Sequence, residues 1–183
     1  HDTQQLDTLD ESQCITSTWF PRLYAMPPLT AVAIAFGITI HAPFSFLYHW
    51  RFASTLPPGL PRTNHWSRRM DQSFIHVASA FMAYGTTGNW DYFLGNVLFN
   101  GDCIYRQFKR KVRPRRNQIR IGLSILAYTF PILRRGDVVL FSECWLVLFV
   151  AGYFFVKYPL GGWSHSAFHL TIALLPPLLM KAA

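Results

Sequence analysis

Between Leu29 and Trp50 the chain runs for 22 residues without an Asp, Glu, Lys or Arg. As an α-helix at about 1.5 Å per residue, such a run crosses the roughly 30 Å hydrocarbon core of a bilayer. It is too long for a strand and its apolar residues do not alternate, which argues against β structure. In lipid, backbone N–H and C=O groups must pair within the segment, which again favours a helix. Five more apolar segments follow, at about 71–88, 90–105, 119–133, 138–156 and 163–180, the one at 119–133 broken by Pro131. The expected fold is therefore all-α: a polytopic membrane helix bundle with six helices visible, occupying residues 27–183. A polar N-terminal tail or loop over 1–26 precedes it, with Asp2, Asp7, Asp10 and Glu11 against Arg22. The sequence has no internal repeat.

Charge is scarce and unevenly placed. Charged residues make up 14% of the chain, where a soluble domain carries about a quarter. The formal net charge is +8, yet eight of the 17 basic residues lie between Arg106 and Arg120. A basic block between apolar runs has the signature of a cytoplasmic membrane loop, suited to anionic headgroups, and argues against nucleic acid as partner. Two basic loops are expected, at 51–69 and 106–118, the first non-helical because of Pro57, Pro58, Gly59 and Pro61. Placing both on the cytoplasmic side puts 13 basic residues inside and four outside, with both chain ends outside. Cys14, Cys103 and Cys144 are widely spaced without a CxxC pair, so no disulfide framework or cysteine zinc ribbon is expected. The six Trp and 16 Phe read as lipid contacts and interface anchors. His1 in place of Met suggests a fragment or a processed product.

Ionisable residues in membrane segments are costly and mark functional sites. The first segment carries His41, Ser45 and His49 on one helical stripe, at i, i+4 and i+8. The second carries Asp71 and His76, the fifth Glu143, and the sixth His165 and His169 as an H-x-x-x-H pair. The loop-derived topology brings His49, Asp71, His165 and His169 to one membrane level at the inner end. Three imidazoles and a water form a familiar catalytic zinc shell, so His49, His165 and His169 are the expected ligands of Zn2+. Zinc lowers the pKa of a bound water to about 7. Asp71 is then placed to accept that water's proton or orient it, and Ser45 to donate to a developing oxyanion. Ser164 reads as the N-cap of the sixth helix, whose positive end keeps both histidines neutral. Structural alternatives stand beside these roles. Asp71 suits a helix N-terminus, Ser45 can bond back to its own helix, and His41 and His76 read as hydrogen-bonded structural groups. Glu143 reads as pairing with a neighbouring helix or lining a cavity.

Ser45-Phe-Leu-Tyr-His49, Arg68-Arg69-Met-Asp71-Gln-Ser73 and His165-Ser-Ala-Phe-His169 resemble the S-x-x-x-H, D and H-x-x-x-H signature of one membrane superfamily. It joins alkaline ceramidases, progestin and adipoQ receptors with hemolysin III proteins, and relatives that remodel GPI-anchored lipids. The S-x-L-Y-H element, the Arg-x-x-Asp approach and the external C-terminus are most similar to the hemolysin III and adipoQ receptor branch. The resemblance covers about residues 29–180. It implies a seven-helix bundle, three histidines on zinc, an Asp at the zinc water and, in many members, hydrolysis of lipid amides. Two departures stand out: six helices are visible where the family has seven, so a first helix is expected to be missing, and the loop from His49 to Asp71 is longer and richer in proline.

The first functional expectation is a zinc-dependent membrane hydrolase acting on a ceramide-like lipid amide. Ser166 follows His165 where a zincin would have Glu, which leaves Asp71 as the base. The alternative is an adipoQ-receptor-like signalling protein with a structural zinc and a partner at the 106–120 loop. A third is a haem-binding electron-transfer bundle, for which His41 and His76 would form one ligand pair.

Overall fold

The computed structural model describes residues 28–53, 55–57, 59–109 and 113–183. The polar stretch 1–26, with Cys14 and Arg22, lies outside the described residues, as do residues 110–112 of the second basic loop. The described residues form helices and no strands. Helix α1 spans Leu29–Leu47 and continues into a π-helical turn, Tyr48–Phe52. It is followed by α2 (Leu60–Asn64), α3 (Trp66–Thr87), α4 (Trp90–Gln107), α5 (Pro114–Arg134) and α6 (Val138–Lys157). A short 3-10 turn, Gly161–Trp163, then leads into α7 (Ser164–Ile172) and α8 (Leu175–Ala182).

Each of the six apolar segments is thus helical, and side chains cap the starts of three of these helices. A His65 ring nitrogen accepts from the Ser67 amide at the start of α3. Asn89 accepts from the Tyr92 amide at α4, and Asp137 from the Leu140 amide at α6. These side chains satisfy amides that a helix start leaves without partners. Gly88 ends α3 at φ 63°, where a side chain would be strained.

Three boundaries differ from the sequence reading. The basic stretch 51–69 is not all loop: it contains α2, with Pro61 in its first turn, and the first four residues of α3. Helix α5 begins at Pro114, inside the second basic stretch, so Arg115, Arg116 and Arg120 ride on a helix. The sixth segment is two helices, because Pro176 and Pro177 lack the N–H groups that would continue α7.

Helix α3 is the centre of the bundle and packs against α1, α4, α5 and α8. Its inward face is made of small residues, among them Ala78, Ser79, Ala80, Ala83 and Gly85. Small residues let helix backbones approach closely. At Gly37 of α1, an added Cβ would lie 3.1 Å from the Ala78 carbonyl oxygen. The hydrophobic core occupies one end of the bundle: Ile34, Ala83, Tyr128, Ile132, Leu140, Cys144, Leu175 and Leu179. At that end the Thr30 hydroxyl and the Arg135 guanidinium donate to the Ala183 and Ala182 carbonyls, tying α1 and α5 to the end of α8. The opposite end carries the candidate site. Two helices, Leu29–Phe52 and Val138–Lys157, are long and apolar enough to cross a membrane.

Candidate metal centre

The site begins with a break in helical regularity. Pro43 lies inside α1 and removes the amide that would bond the Thr39 carbonyl. Five residues later the helix widens: the Ala53 amide donates to the Tyr48 carbonyl at 2.8 Å, a spacing of five residues. This wide turn carries His49. On the other side, the chain reverses after α6 through Tyr158 (φ 50°) and Gly161 (φ 56°). Ser164 does not cap α7 as expected from the sequence. Its hydroxyl instead accepts from the Leu160 amide at 2.8 Å and closes the reversal. Helix α7 then presents His165 and His169, one turn apart, to His49.

His49 Nδ1 lies 2.7 Å from His165 Nε2, and His169 Nε2 lies 3.1 Å from the same atom. The three ligand nitrogens are all within 4.8 Å of one another. Metal–nitrogen bonds of about 2.0–2.1 Å at tetrahedral angles put ligand nitrogens about 3.3 Å apart, so the rings need only small shifts to share one ion. Hydrogen bonding alone serves this arrangement poorly. His165 Nε2 carries either one proton or one lone pair in the ring plane and meets two nitrogens at once. The group could therefore hold a metal ion. Its surroundings are largely aromatic: Tyr48 packs against His49 with ring centroids 4.7 Å apart, and Phe155 and Phe168 flank His165.

Asp71 is buried beside this group. Its Oδ2 is 3.9 Å from His49 Nε2, and its Oδ1 is 3.3 Å from His41 Nε2. It sits in the second turn of α3, since the helix starts at Trp66, and so is not a helix-start residue. The histidines and Asp71 thus meet as the sequence predicts. Ser45 lies one turn before His49 on α1, and its hydroxyl makes no hydrogen bond among the described residues, neither to the rings nor back to its own helix. His41, read from sequence as structural, reaches the carboxylate. The available signal was its place on the His49 stripe, eight residues earlier.

His76 is fully buried, with Nδ1 2.8 Å from Asn100 Oδ1 and 3.1 Å from the Ser124 hydroxyl. It and His41 thus turn to different partners rather than to each other, as a haem pair would require. Glu143 pairs with Lys181 of α8 at 3.5 Å. Cys103 and Cys144 are buried on α4 and α6. No family model, curated protein or solved structure matches the chain.

Proposed function

We propose that this chain is a multi-pass membrane protein that binds zinc through His49, His165 and His169 and hydrolyses a ceramide-like lipid amide. The observation that carries the reading is the convergence of three imidazole nitrogens, one from the π-helical turn after α1 and two from α7, His49 and His165 being 116 residues apart in sequence, with the buried Asp71 carboxylate beside them. Two further features support a membrane setting. Large apolar side chains are exposed along α4 and α6, including Leu94, Leu98, Leu146 and Phe149. Exposed tryptophans also stand at both ends of the bundle: Trp50, Trp66 and Trp163 at the histidine end and Trp90 at the other. Tryptophan favours the lipid–water interface. The order of the S-x-x-x-H, D and H-x-x-x-H elements supports placing the chain with the ceramidase, adipoQ receptor and hemolysin III superfamily.

Zinc, when bound, supplies a Lewis acid and brings the pKa of a bound water to about 7. The chain's own groups do the rest. The three rings hold the ion at the histidine end of the bundle, where an amide near the headgroup level can reach it. Asp71 is the carboxylate beside the centre; it would take a proton from the attacking water as the C–O bond forms and return it to the amine nitrogen as the C–N bond breaks. The Ser45 hydroxyl, one turn along α1, donates to the carbonyl oxygen as charge develops there. The apolar helix faces accommodate acyl chains.

The first test is the metal content of detergent-purified protein beside a His165→Ala/His169→Ala variant, followed by a lipid-amide hydrolysis assay. About one zinc per chain, absent from the variant, with turnover lost in His169→Ala and in Asp71→Ala, is the expected result. Zinc retained without turnover on any lipid amide would favour the receptor reading. A folded protein without zinc would overturn both.

A further inference from the structure

We infer that His41 is a positioning residue of the metal centre: it holds Asp71, and Asp71 in turn holds His49 with Nδ1 facing the ion. This inference rests on the metal reading above and gives Asp71 a task beyond that of proton acceptor. The two ring nitrogens of His49 face opposite ways. Nδ1 looks toward His165 Nε2 at 2.7 Å, and Nε2 looks toward Asp71 Oδ2 at 3.9 Å. The other carboxylate oxygen of Asp71 meets His41 Nε2 at 3.3 Å. Asp71 therefore lies between two imidazoles that both come from the α1 stretch, eight residues apart.

The chemistry explains why such a chain is useful. A neutral imidazole that gives one nitrogen to a metal must carry its proton on the other, and an acceptor there selects the tautomer and fixes the ring plane. For His49 the group on that side is the Asp71 carboxylate, 3.9 Å away, which a small side-chain shift brings into hydrogen-bond range. A carboxylate so placed can rotate about its own side-chain torsions, since a terminal carboxylate torsion is broad. Donation from His41 Nε2 to Oδ1 pins one oxygen and leaves the other aimed at His49. The wide turn at Tyr48–Phe52 supplies the same need from the backbone, since it sets where the His49 ring emerges from the helix. His41 lies on the regular part of α1, before Pro43. The donor that fixes the carboxylate is thus on a rigid element, while the ligand it orients is on the distorted one.

The experiment compares wild type, His41→Ala, His41→Gln and Asp71→Asn as detergent-purified proteins. Zn2+ affinity is measured by competition with a chromophoric chelator, and Co2+ serves as a spectroscopic probe of ligand geometry. Loss of the outer partner of a ligating histidine typically weakens metal binding 10- to 100-fold. Asp71→Asn is expected within that range, with altered Co2+ absorption bands. His41→Ala is expected to weaken binding about tenfold. His41→Gln is expected to restore near-wild-type affinity, because its amide nitrogen reaches the position of Nε2 and donates to the same oxygen. Circular dichroism and thermal unfolding of the metal-free proteins report whether each variant folds. Wild-type Zn2+ affinity and an unchanged Co2+ spectrum in His41→Ala would overturn the inference and leave the metal reading standing. A His41→Gln variant as weak as His41→Ala would overturn the hydrogen-bonding role. Wild-type protein that binds neither ion would overturn the metal reading itself, and this inference with it.

Discussion

The contact between α1 and α3 is tightest at Gly85, and replacing that glycine tests how firmly the bundle is clamped. A Cβ at Gly85 would stand 2.3 Å from Ile34 Cγ1, 2.8 Å from Ile34 Cδ1 and 3.0 Å from the Thr30 carbonyl oxygen. Carbon atoms pack best about 3.5–4.0 Å apart, so one methyl overlaps its neighbour by more than 1 Å. Ile34 is fully buried, so its side chain has to displace neighbouring core residues to give way. Helix α1 cannot slide along α3 either, because Gly37 already sits against Ala78 and Phe81. Overpacking of this kind costs about 1–3 kcal/mol. For a chain of this length that lowers the melting temperature by roughly 2–12 °C, read by circular dichroism in detergent. Ile34→Ala removes both clashing carbons and alone costs about 2–5 kcal/mol through the cavity it leaves. In the Gly85→Ala/Ile34→Ala double variant the new methyl partly fills that cavity. The double variant is therefore expected to be more stable than the sum of the two losses, by at least about 0.5 kcal/mol. A Gly85→Ala protein that melts like wild type, or strictly additive losses, would refute the account of α1–α3 packing.

Three further outcomes follow from other parts of the molecule. Asn100→Leu removes the Oδ1 atom that His76 Nδ1 and the Ser124 hydroxyl share, leaving them each other and the Arg120 carbonyl, and is expected to cost about 0.5–1.5 kcal/mol, measured by the same melting experiment. Ser45→Ala is expected to keep its zinc but lose turnover by about 10²- to 10³-fold in a lipid-amide assay, and unchanged turnover would remove Ser45 from the reaction. Stripping the metal with a chelator is expected to raise hydrogen exchange around Tyr48–Phe52 and α7 and to leave the far-end core protected, because the apolar contacts there do not involve the histidines.

The helical class and the meeting of His49, His165, His169 and Asp71 were legible because both rest on long-range regularities. Apolar runs of about 15 to 22 residues identify helices whatever their neighbours do, and loop charge orders the segments end to end. Local events were less visible. The π turn at Tyr48–Phe52 follows from a backbone adjustment downstream of Pro43 that no residue pattern announces. Helix α2 forms in a proline-rich stretch because Pro61 sits in a first turn, where its missing N–H costs nothing. Ser164 looks like a cap from its neighbours, yet the reversal at Tyr158–Gly161 offers it the Leu160 amide first. His41 shares a helical stripe with His49, but the stripe alone does not say which side chain on a neighbouring helix it meets. Its contact with Asp71 exists only once α1 and α3 are packed together.

The buried polar side chains at the two ends of the bundle bond differently, and the contrast bears on function. At the far end, Thr86, Asn96 and Thr129 are buried, but each bonds back to a carbonyl of its own helix. Such bonds satisfy the group and specify nothing about neighbouring helices. Toward the histidine end, the bonds cross between helices. His76 of α3 joins Asn100 of α4 and Ser124 of α5, while Gln72 of α3, Asn117 of α5 and Gln107 of α4 form a second chain. Among the described residues, four of the five buried polar atoms without a partner also lie there, on Arg69, Ser73, His76 and Gln107. Burying polar groups incompletely is costly, and a well-packed apolar layer would be more stable in their place. Interhelical bonds do what apolar packing does not: they fix the rotation and height of α3 against α4 and α5. Asp71 stands on α3 one residue before Gln72 and five before His76, so the two polar chains set its position relative to α1. That end of the bundle gives up stability and holds one carboxylate in register with His41 and His49, as the proposed metal centre requires.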